Sequence, residues 1–274
     1  FRQHGQIPLW RPLIMGGAPF VGNPLSALFY PLNWPFVLFP VTPFFHVSIA
    51  LHLAAAGALA YALLRWGYRC SVLASLAAGL SYMLTPKLIA HLGAGHIGLS
   101  QAFAWLPLDL WLVRRALQDK SAHHGAWAGV GLAMTFLADP RVAFYGALLL
   151  AAYALWWLIG LWIEQGWQHA LRLALRMLPV PLVFLGLGAV QIVPTLELMR
   201  YSSRAALSLA EAGRESLPWG YLVGYFIADW GGHHEWMTYL GLSVLGLAVY
   251  ALWRAGQRDR WFWLGTWVIG LWFG

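Results

Sequence analysis

Long apolar runs with very few charges recur along this sequence and restrict its fold more than any other feature. A helix needs about 20 apolar residues to cross the hydrocarbon core of a bilayer. Backbone amides left unpaired in lipid are costly, so a crossing segment forms a helix. The runs predict an all-α, polytopic transmembrane helical bundle of about eight spans. We place the spans near residues 44–64, 71–85, 97–113, 125–138, 142–163, 177–196, 236–253 and 261–274.

The composition excludes a soluble domain. Only 10% of the residues are charged and 60% are hydrophobic, whereas soluble domains carry roughly 25% charged residues. The net charge of +7 comes from Lys and Arg scattered between apolar runs, without the basic face that nucleic-acid binding requires. We therefore expect a lipid bilayer as partner and no nucleic acid. Cys70 is the single cysteine, so neither an internal disulfide nor a thiolate metal site is possible.

Two segments differ from the apolar runs. Residues 1–43 are rich in Pro and Gly with aromatic residues between them, which predicts an external segment lying along the membrane interface. Residues 44–274 form the predicted bundle, with a long external loop at 197–235. The runs at 71–85 and 125–138 are short and rich in Ala and Gly, so we expect both inside the bundle. The sequence begins without Met and stops within an apolar run, which predicts truncation at both ends.

Basic residues divide unevenly between alternate loops. One set of loops holds ten of them: Arg65, Arg69, Arg114, Arg115, Lys120, Arg172, Arg176, Arg254, Arg258 and Arg260. The other set holds seven: Arg2, Arg11, Lys87, Arg141, Arg200, Arg204 and Arg214. Most of the second set lies in the two long segments, which the positive-inside rule discounts. The ten-residue side is predicted to be cytoplasmic, which puts 1–43, 86–96, 139–141 and 197–235 outside.

The stretch from Gly5 to Phe36 reads GQIPLWRPLIMGGAPFVGNPLSALFYPLNWPF. It resembles the segment after the first span of YfhO-like bacterial membrane proteins, which belong to the GT-C class of glycosyltransferases. Further resemblances are AWLP at Ala104 to Pro107, QIVPTLELMRYSSR at Gln191 to Arg204 and SLPWGYL at Ser216 to Leu222. Together these motifs extend over almost the whole chain.

The resemblance implies transfer of a sugar from a polyprenyl-phosphate donor to an extracytoplasmic acceptor, which would be a cell-envelope polymer, a lipid or a protein. It implies a bacterial cytoplasmic (inner) membrane location with an extracytoplasmic active face. In GT-C enzymes an acidic residue in the first external loop acts as base or metal ligand, and that part of the loop would precede Phe1. The sequence departs from the family pattern at Arg11 and at Asp139-Pro140-Arg141.

Four charged residues are candidates for the external site. Asp139 and Arg141 flank Pro140, and they either face the sugar or phosphate or form a local pair in a tight helical hairpin. Arg200 and Arg204 are four residues apart, so on a helix both guanidiniums project from one face and fit a donor phosphate. Ordinary headgroup contact and ion pairing with Glu197 are the alternatives.

The predicted external segments also carry groups that bind divalent cations, although none has diagnostic spacing. They are His91, His96, Asp229, His233, His234 and Glu235. A divalent metal ion therefore stays open as a cofactor, with polar loop tips as the alternative. We expect His46 and His52 to be buried hydrogen-bonding groups, and Asp109 to pair with Arg114 and Arg115 near the cytoplasmic surface.

Three polar residues, Asn23, Ser26 and Tyr30, lie in one Pro-containing stretch. Their side chains either reach a sugar hydroxyl or close turns, and we favour the turn role.

Two rivals to the glycosyltransferase stay open. A transporter or lipid flippase predicts two related halves with discontinuous helices, and the sequence shows no such repeat. A non-catalytic scaffold related to GT-C enzymes predicts that no acidic residue follows an additional upstream span.

Overall fold

The computed structural model describes residues 5, 9–13, 16–202, 216–228, 230, 233–254 and 259–273, and the fold is mostly helical. The helices are α1 Val41–Ala62, α2 Val72–Met83, α3 Pro86–Gly93, α4 Ile97–Phe103, α5 Leu106–Gln118, α6 Ala122–Ala138, α7 Pro140–Gln165, α8 Trp167–Met177, α9 Pro179–Met199, α10 Leu242–Arg254 and α11 Asp259–Phe273. Two short strands, β1 Trp10–Arg11 and β2 Ala18–Pro19, pair antiparallel. Of the predicted site residues, Arg204 and Asp229 lie outside the described residues.

Four helical stretches of the described chain are long and apolar enough to cross a membrane, which is consistent with a membrane protein. They are Val41–Gly67, Val72–Gly93, Pro140–Gln165 and Trp167–Met199. The predicted span at 97–113 is instead two helices, α4 and α5, separated at Ala104 and Trp105. Pro107 lies in the first turn of α5, where proline lacks only a hydrogen bond that the helix does not need.

Helix α6 lies at the centre of the bundle, as its Ala and Gly content predicts. A methyl group on Gly129 would lie 2.6 Å from the Val180 carbonyl oxygen of α9, so only glycine permits this backbone approach. The same expectation is wrong for the run at 71–85. Helix α2 contacts α1 closely at Gly79, but Ser75 and Gly79 are its only buried residues.

The contacts between helices give the bundle two ends. Gly125 of α6 contacts Pro179 and Gly188 of α9 contacts Phe136, so α6 and α9 run parallel. Helix α5 runs antiparallel to α6, since Asp109 in its first turn bonds Thr135 in the last turn of α6. We name the two ends by residues, the Asp139 end, where α6 finishes, and the Arg114 end, where α5 finishes.

Basic residues of the predicted cytoplasmic set gather at the Arg114 end. The Arg114 guanidinium donates to the Gly67 carbonyl after α1, and it forms an ion pair with Asp259 at the start of α11. Tyr153 of α7 donates to the same carboxylate at 3.0 Å. One charged group therefore connects α1, α5, α7 and α11, and its buried partners satisfy it.

The amino-terminal segment is attached to the Asp139 end. Gln191 of α9 donates to the Val21 carbonyl at 3.0 Å, and Thr195 donates to the Gly22 carbonyl at 3.1 Å. A side chain at Gly22 would meet the Pro194 carbonyl oxygen at 2.9 Å, so the two backbones touch. This Pro- and Gly-rich segment is thus packed on the bundle over the second half of α9.

Candidate functional site

A helix-ending turn brings two predicted metal-binding histidines together. Helix α3 ends at Gly93, and Gly95 adopts a positive φ of +84°. The His96 amide then donates to the His91 carbonyl at 2.9 Å and the Gly95 amide to the Leu92 carbonyl at 3.0 Å. This pair of bonds is a Schellman motif, which glycine favours because it has no Cβ to strain. The turn places Nδ1 of His96 2.9 Å from Nδ1 of His91.

A distant part of the chain completes the group. His234 and Glu235 lie in a 3₁₀ turn at His234–Trp236, and the His234 ring lies 5.1 Å, between centroids, from both the His91 and the His96 ring. Nζ of Lys87 donates to the backbone carbonyl of Glu235 at 2.6 Å, which holds this turn against α3. We call His91, His96, His234 and Glu235 the histidine cluster.

The histidine cluster has the composition of a metal-binding site. Each residue offers one ligand atom, and these atoms all lie within 4.8 Å of one another. His91 is buried, His96 and His234 are half-buried, and Glu235 is exposed. The site therefore extends from the protein interior at His91 to the surface at Glu235. His233, also predicted, lies beside it, where its ring stacks on His234 and contacts Trp236 at a tilted angle.

Asp139 and Arg141 form a local ion pair beside the histidine cluster. The guanidinium donates to both carboxylate oxygens, from Nε at 3.1 Å and from Nη2 at 2.7 Å. The Asp139 carboxylate also accepts the Arg141 amide at the start of α7. The structure therefore shows the tight helical hairpin that the sequence offered as one of two interpretations.

The neighbourhood of Asp139 includes the start of α4. A methyl group on Gly98 would lie 2.7 Å from the Ala138 carbonyl oxygen and 3.8 Å from Oδ2 of Asp139. Arg141 also lies within electrostatic range of Glu235. The predicted external segments around residues 86–96, 139–141 and 233–236 thus meet at the Asp139 end.

The side chains of Asn23 and Ser26 close turns, whereas the Tyr30 side chain does not. The Asn23 side chain accepts the Leu25 amide at 3.0 Å, and the Ser26 hydroxyl accepts the Leu28 amide at 3.3 Å. Tyr30 is fully buried, and its hydroxyl contacts His52 and Trp105. The turn interpretation therefore fits the first two residues and is wrong for the third, because Tyr30 points into the bundle.

The hydrogen-bond partners of His52 determine which of its two ring nitrogens carries the hydrogen. Nδ1 of His52 lies 2.7 Å from the Ser48 carbonyl, which only accepts, so Nδ1 carries the hydrogen. Nε2 then accepts from the Tyr30 hydroxyl at 2.8 Å, and that hydroxyl accepts from the Trp105 indole at 2.8 Å. Burial raises the pKa of Tyr30 above its ordinary value, which keeps the hydroxyl protonated for this role.

Sequence reasoning missed the neighbouring amide pair. Nε2 of Gln101 donates to Oδ1 of Asn33 at 2.7 Å and to the Ser48 hydroxyl at 3.2 Å. Gln101 is buried, and its place in an otherwise apolar run was the available signal, since buried amides require partners. The network fastens the amino-terminal segment to α1 and α4.

Two expectations about buried and interfacial residues are wrong. His46 is exposed on the first turns of α1, while His52 is buried as expected. Asp109 does not pair with the arginines: Oδ2 accepts from the Thr135 hydroxyl at 2.7 Å, and Oδ1 has no hydrogen-bond partner among the described residues. The cause is helix geometry, since the five-residue separation of Asp109 and Arg114 puts their side chains about 140° apart around α5.

The phosphate-binding candidates are only partly described. Glu197 and Arg200 are exposed at the carboxyl end of α9, where the Arg200 amide donates to the Glu197 carbonyl at 3.2 Å. Within the described residues, no contact joins Arg200 to the histidine cluster. Their position at the Asp139 end follows from the parallel course of α6 and α9.

The chain was compared with protein-family models, with curated proteins and with solved structures, and none of them matches it.

Proposed function

We propose that this chain is part of a membrane glycosyltransferase of GT-C architecture that transfers a sugar from a polyprenyl-phosphate-linked donor to an extracytoplasmic acceptor. The proposal includes about eight membrane crossings, the bacterial cytoplasmic membrane as location, and the Asp139 end as the extracytoplasmic face. It takes its chemistry from the resemblance of residues 5–36, 191–204 and 216–222 to YfhO-like proteins.

One observation carries the proposal: residues 86–96, 139–141 and 233–236 meet at a single end of the bundle. A donor whose lipid tail lies in the bilayer has its phosphate at the interface, so its site must also lie at one end. The opposite end holds the buried Arg114–Asp259 pair and the basic residues typical of a cytoplasmic face.

The proposed reaction is direct displacement at the anomeric carbon. An acceptor hydroxyl oxygen bonds to that carbon, the bond to the phosphate oxygen breaks, and a base takes the hydroxyl proton. Arg141 donates to both oxygens of the Asp139 carboxylate, so we assign the base instead to a carboxylate upstream of Phe1, as the resemblance implies. Arg200 and Arg204 would hold the departing lipid phosphate, because paired guanidiniums bind phosphate oxygens strongly.

The test is the double substitution Arg200→Ala with Arg204→Ala in the full-length protein. We expect turnover of lipid-linked sugar in membranes to fall by at least about 100-fold, as two charge-assisted bonds of about 1.5–3 kcal/mol each are lost. The matched control replaces Arg172 and Arg176, also four residues apart, on α8 at the Arg114 end. Equal turnover in both double variants would remove the α9 arginines from the mechanism.

A non-catalytic scaffold is the second candidate, and the closed Asp139–Arg141 pair favours it. The two functions differ upstream of Phe1. An Asp or Glu just after an additional span supports the enzyme, whereas a sequence without one supports the scaffold.

A further inference from the structure

We infer that the histidine cluster is a zinc-type metal site that joins the turn after α3 to the 233–236 turn. This inference is independent of the proposed glycosyltransferase activity. It rests on the identity and arrangement of four side chains that come from two segments far apart in the sequence.

The donor set selects the class of metal. Imidazole nitrogens suit Zn²⁺ and related transition ions, whereas Mg²⁺ and Ca²⁺ prefer all-oxygen sites. Three imidazoles and one carboxylate match a zinc site, either closed by four protein ligands or completed by water where Glu235 swings out. The exposed position of Glu235 permits both arrangements.

The distances fit a bound ion after small side-chain rotations. Zinc bonds of about 2.0–2.1 Å in a tetrahedron separate the ligand atoms by roughly 3.3 Å. The two Nδ1 atoms of His91 and His96 are 2.9 Å apart, and the ligand atoms of the whole cluster lie within 4.8 Å. At 2.9 Å the two nitrogens share one hydrogen, and a metal ion takes the place of that hydrogen.

The surrounding charges leave the carboxylate free to bind. Lys87 donates its ammonium hydrogen to the backbone carbonyl of Glu235, and Arg141 is engaged with both oxygens of Asp139. The nearest ion-pair partner of the Glu235 carboxylate in the described chain is His234, at 3.7 Å. The same lysine contact positions the 3₁₀ turn, so the ligands are partly preorganised.

The test measures Zn²⁺ binding to the purified full-length protein in detergent, by calorimetry with Mg²⁺ in excess. We expect one Zn²⁺ per chain and a higher thermal unfolding midpoint with Zn²⁺, since an ion that binds only the folded state stabilises it. His234→Gln with Glu235→Gln should weaken binding by more than about 100-fold, because even outer-shell changes cost about 10- to 100-fold.

Two further variants separate ligand loss from misfolding. His96→Gln, on the other segment, should weaken Zn²⁺ binding to a similar degree. Without metal, His96→Gln and the double variant of His234 and Glu235 should both unfold at the wild-type midpoint. His169→Gln is the matched control, because His169 is exposed on α8 and bonds only the Gln165 carbonyl among the described groups. The inference is overturned if the unsubstituted protein binds no Zn²⁺ in the presence of excess Mg²⁺, or if the ligand variants bind Zn²⁺ as tightly as the control.

Discussion

At the residue scale, the buried polar groups around Tyr30 are paired with one another and with backbone carbonyls. The Trp105 indole donates to the Tyr30 hydroxyl, the hydroxyl donates to His52, and His52 donates to a backbone carbonyl. Beside this chain of hydrogen bonds, Gln101 donates to Asn33. Inside a low-dielectric environment such chains strengthen each bond but make an unpaired member costly. Single polar atoms should therefore have large effects on stability.

Tyr30→Phe is the direct test of this expectation. Loss of the hydroxyl leaves Nε2 of His52 and Nε1 of Trp105 without partners, at a cost of about 1–3 kcal/mol for each orphaned group. We expect a lower thermal unfolding midpoint in detergent. Tyr145→Phe is the control, because Tyr145 is exposed, and equal midpoints for the two variants would contradict the network.

The sequence predicts the roles of some of these polar side chains but not of others. Asn23 and Ser26 were assigned to turns from local chemistry alone, because their acceptors bond amides only two residues away. Tyr30 was misassigned because its partners come from α1 and from the start of α5, and no local pattern identifies them. The Asp109 prediction is wrong because five residues along α5 put Asp109 and Arg114 on different faces of the helix.

At the element scale, glycine decides which helices approach closely. Gly129 allows α9 to lie against α6, and Gly57 and Gly79 do the same for α1 and α2. Lipid gives no hydrophobic drive between helices, so close van der Waals contact is the main source of association. The abundance of Ala and Gly predicted the buried position of α6. It did not predict the exposure of α2, which has a single close-contact face.

Gly129→Ala should disrupt the α6–α9 interface. Its methyl group would meet the Val180 carbonyl oxygen at 2.6 Å, and overpacking typically costs about 1–3 kcal/mol, which outweighs the gain of up to about 1 kcal/mol in helix propensity. Gly186→Ala on α9 is the matched control, since nothing lies within 4 Å of its added methyl group. We expect a lower unfolding midpoint for Gly129→Ala than for Gly186→Ala, and equal midpoints would contradict the close contact at Gly129.

At the scale of the whole molecule, the chain divides its charges between two ends. The Arg114 end holds a buried ion pair joining four elements, and the Asp139 end gathers the histidine cluster and the Asp139–Arg141 pair. The apolar runs predicted alternating direction, and hence which segments share an end. They gave no sign that His234 would reach His91, because that contact depends on the Schellman turn at Gly95 and on Lys87 holding the 3₁₀ turn.

The proposed function depends most on which side of the membrane the Asp139 end and the Arg114 end face. The measurement is labelling of single cysteines with a membrane-impermeant maleimide on intact cells, in a cysteine-free background that, within this sequence, requires only Cys70→Ser. Ala94→Cys and Ser216→Cys lie on exposed positions of two predicted external segments, and Gln118→Cys lies exposed at the Arg114 end. We predict that the first two label from outside and that Gln118→Cys labels only after the cells are opened. Labelling of Ala94→Cys and Ser216→Cys from opposite sides of the membrane would contradict the account.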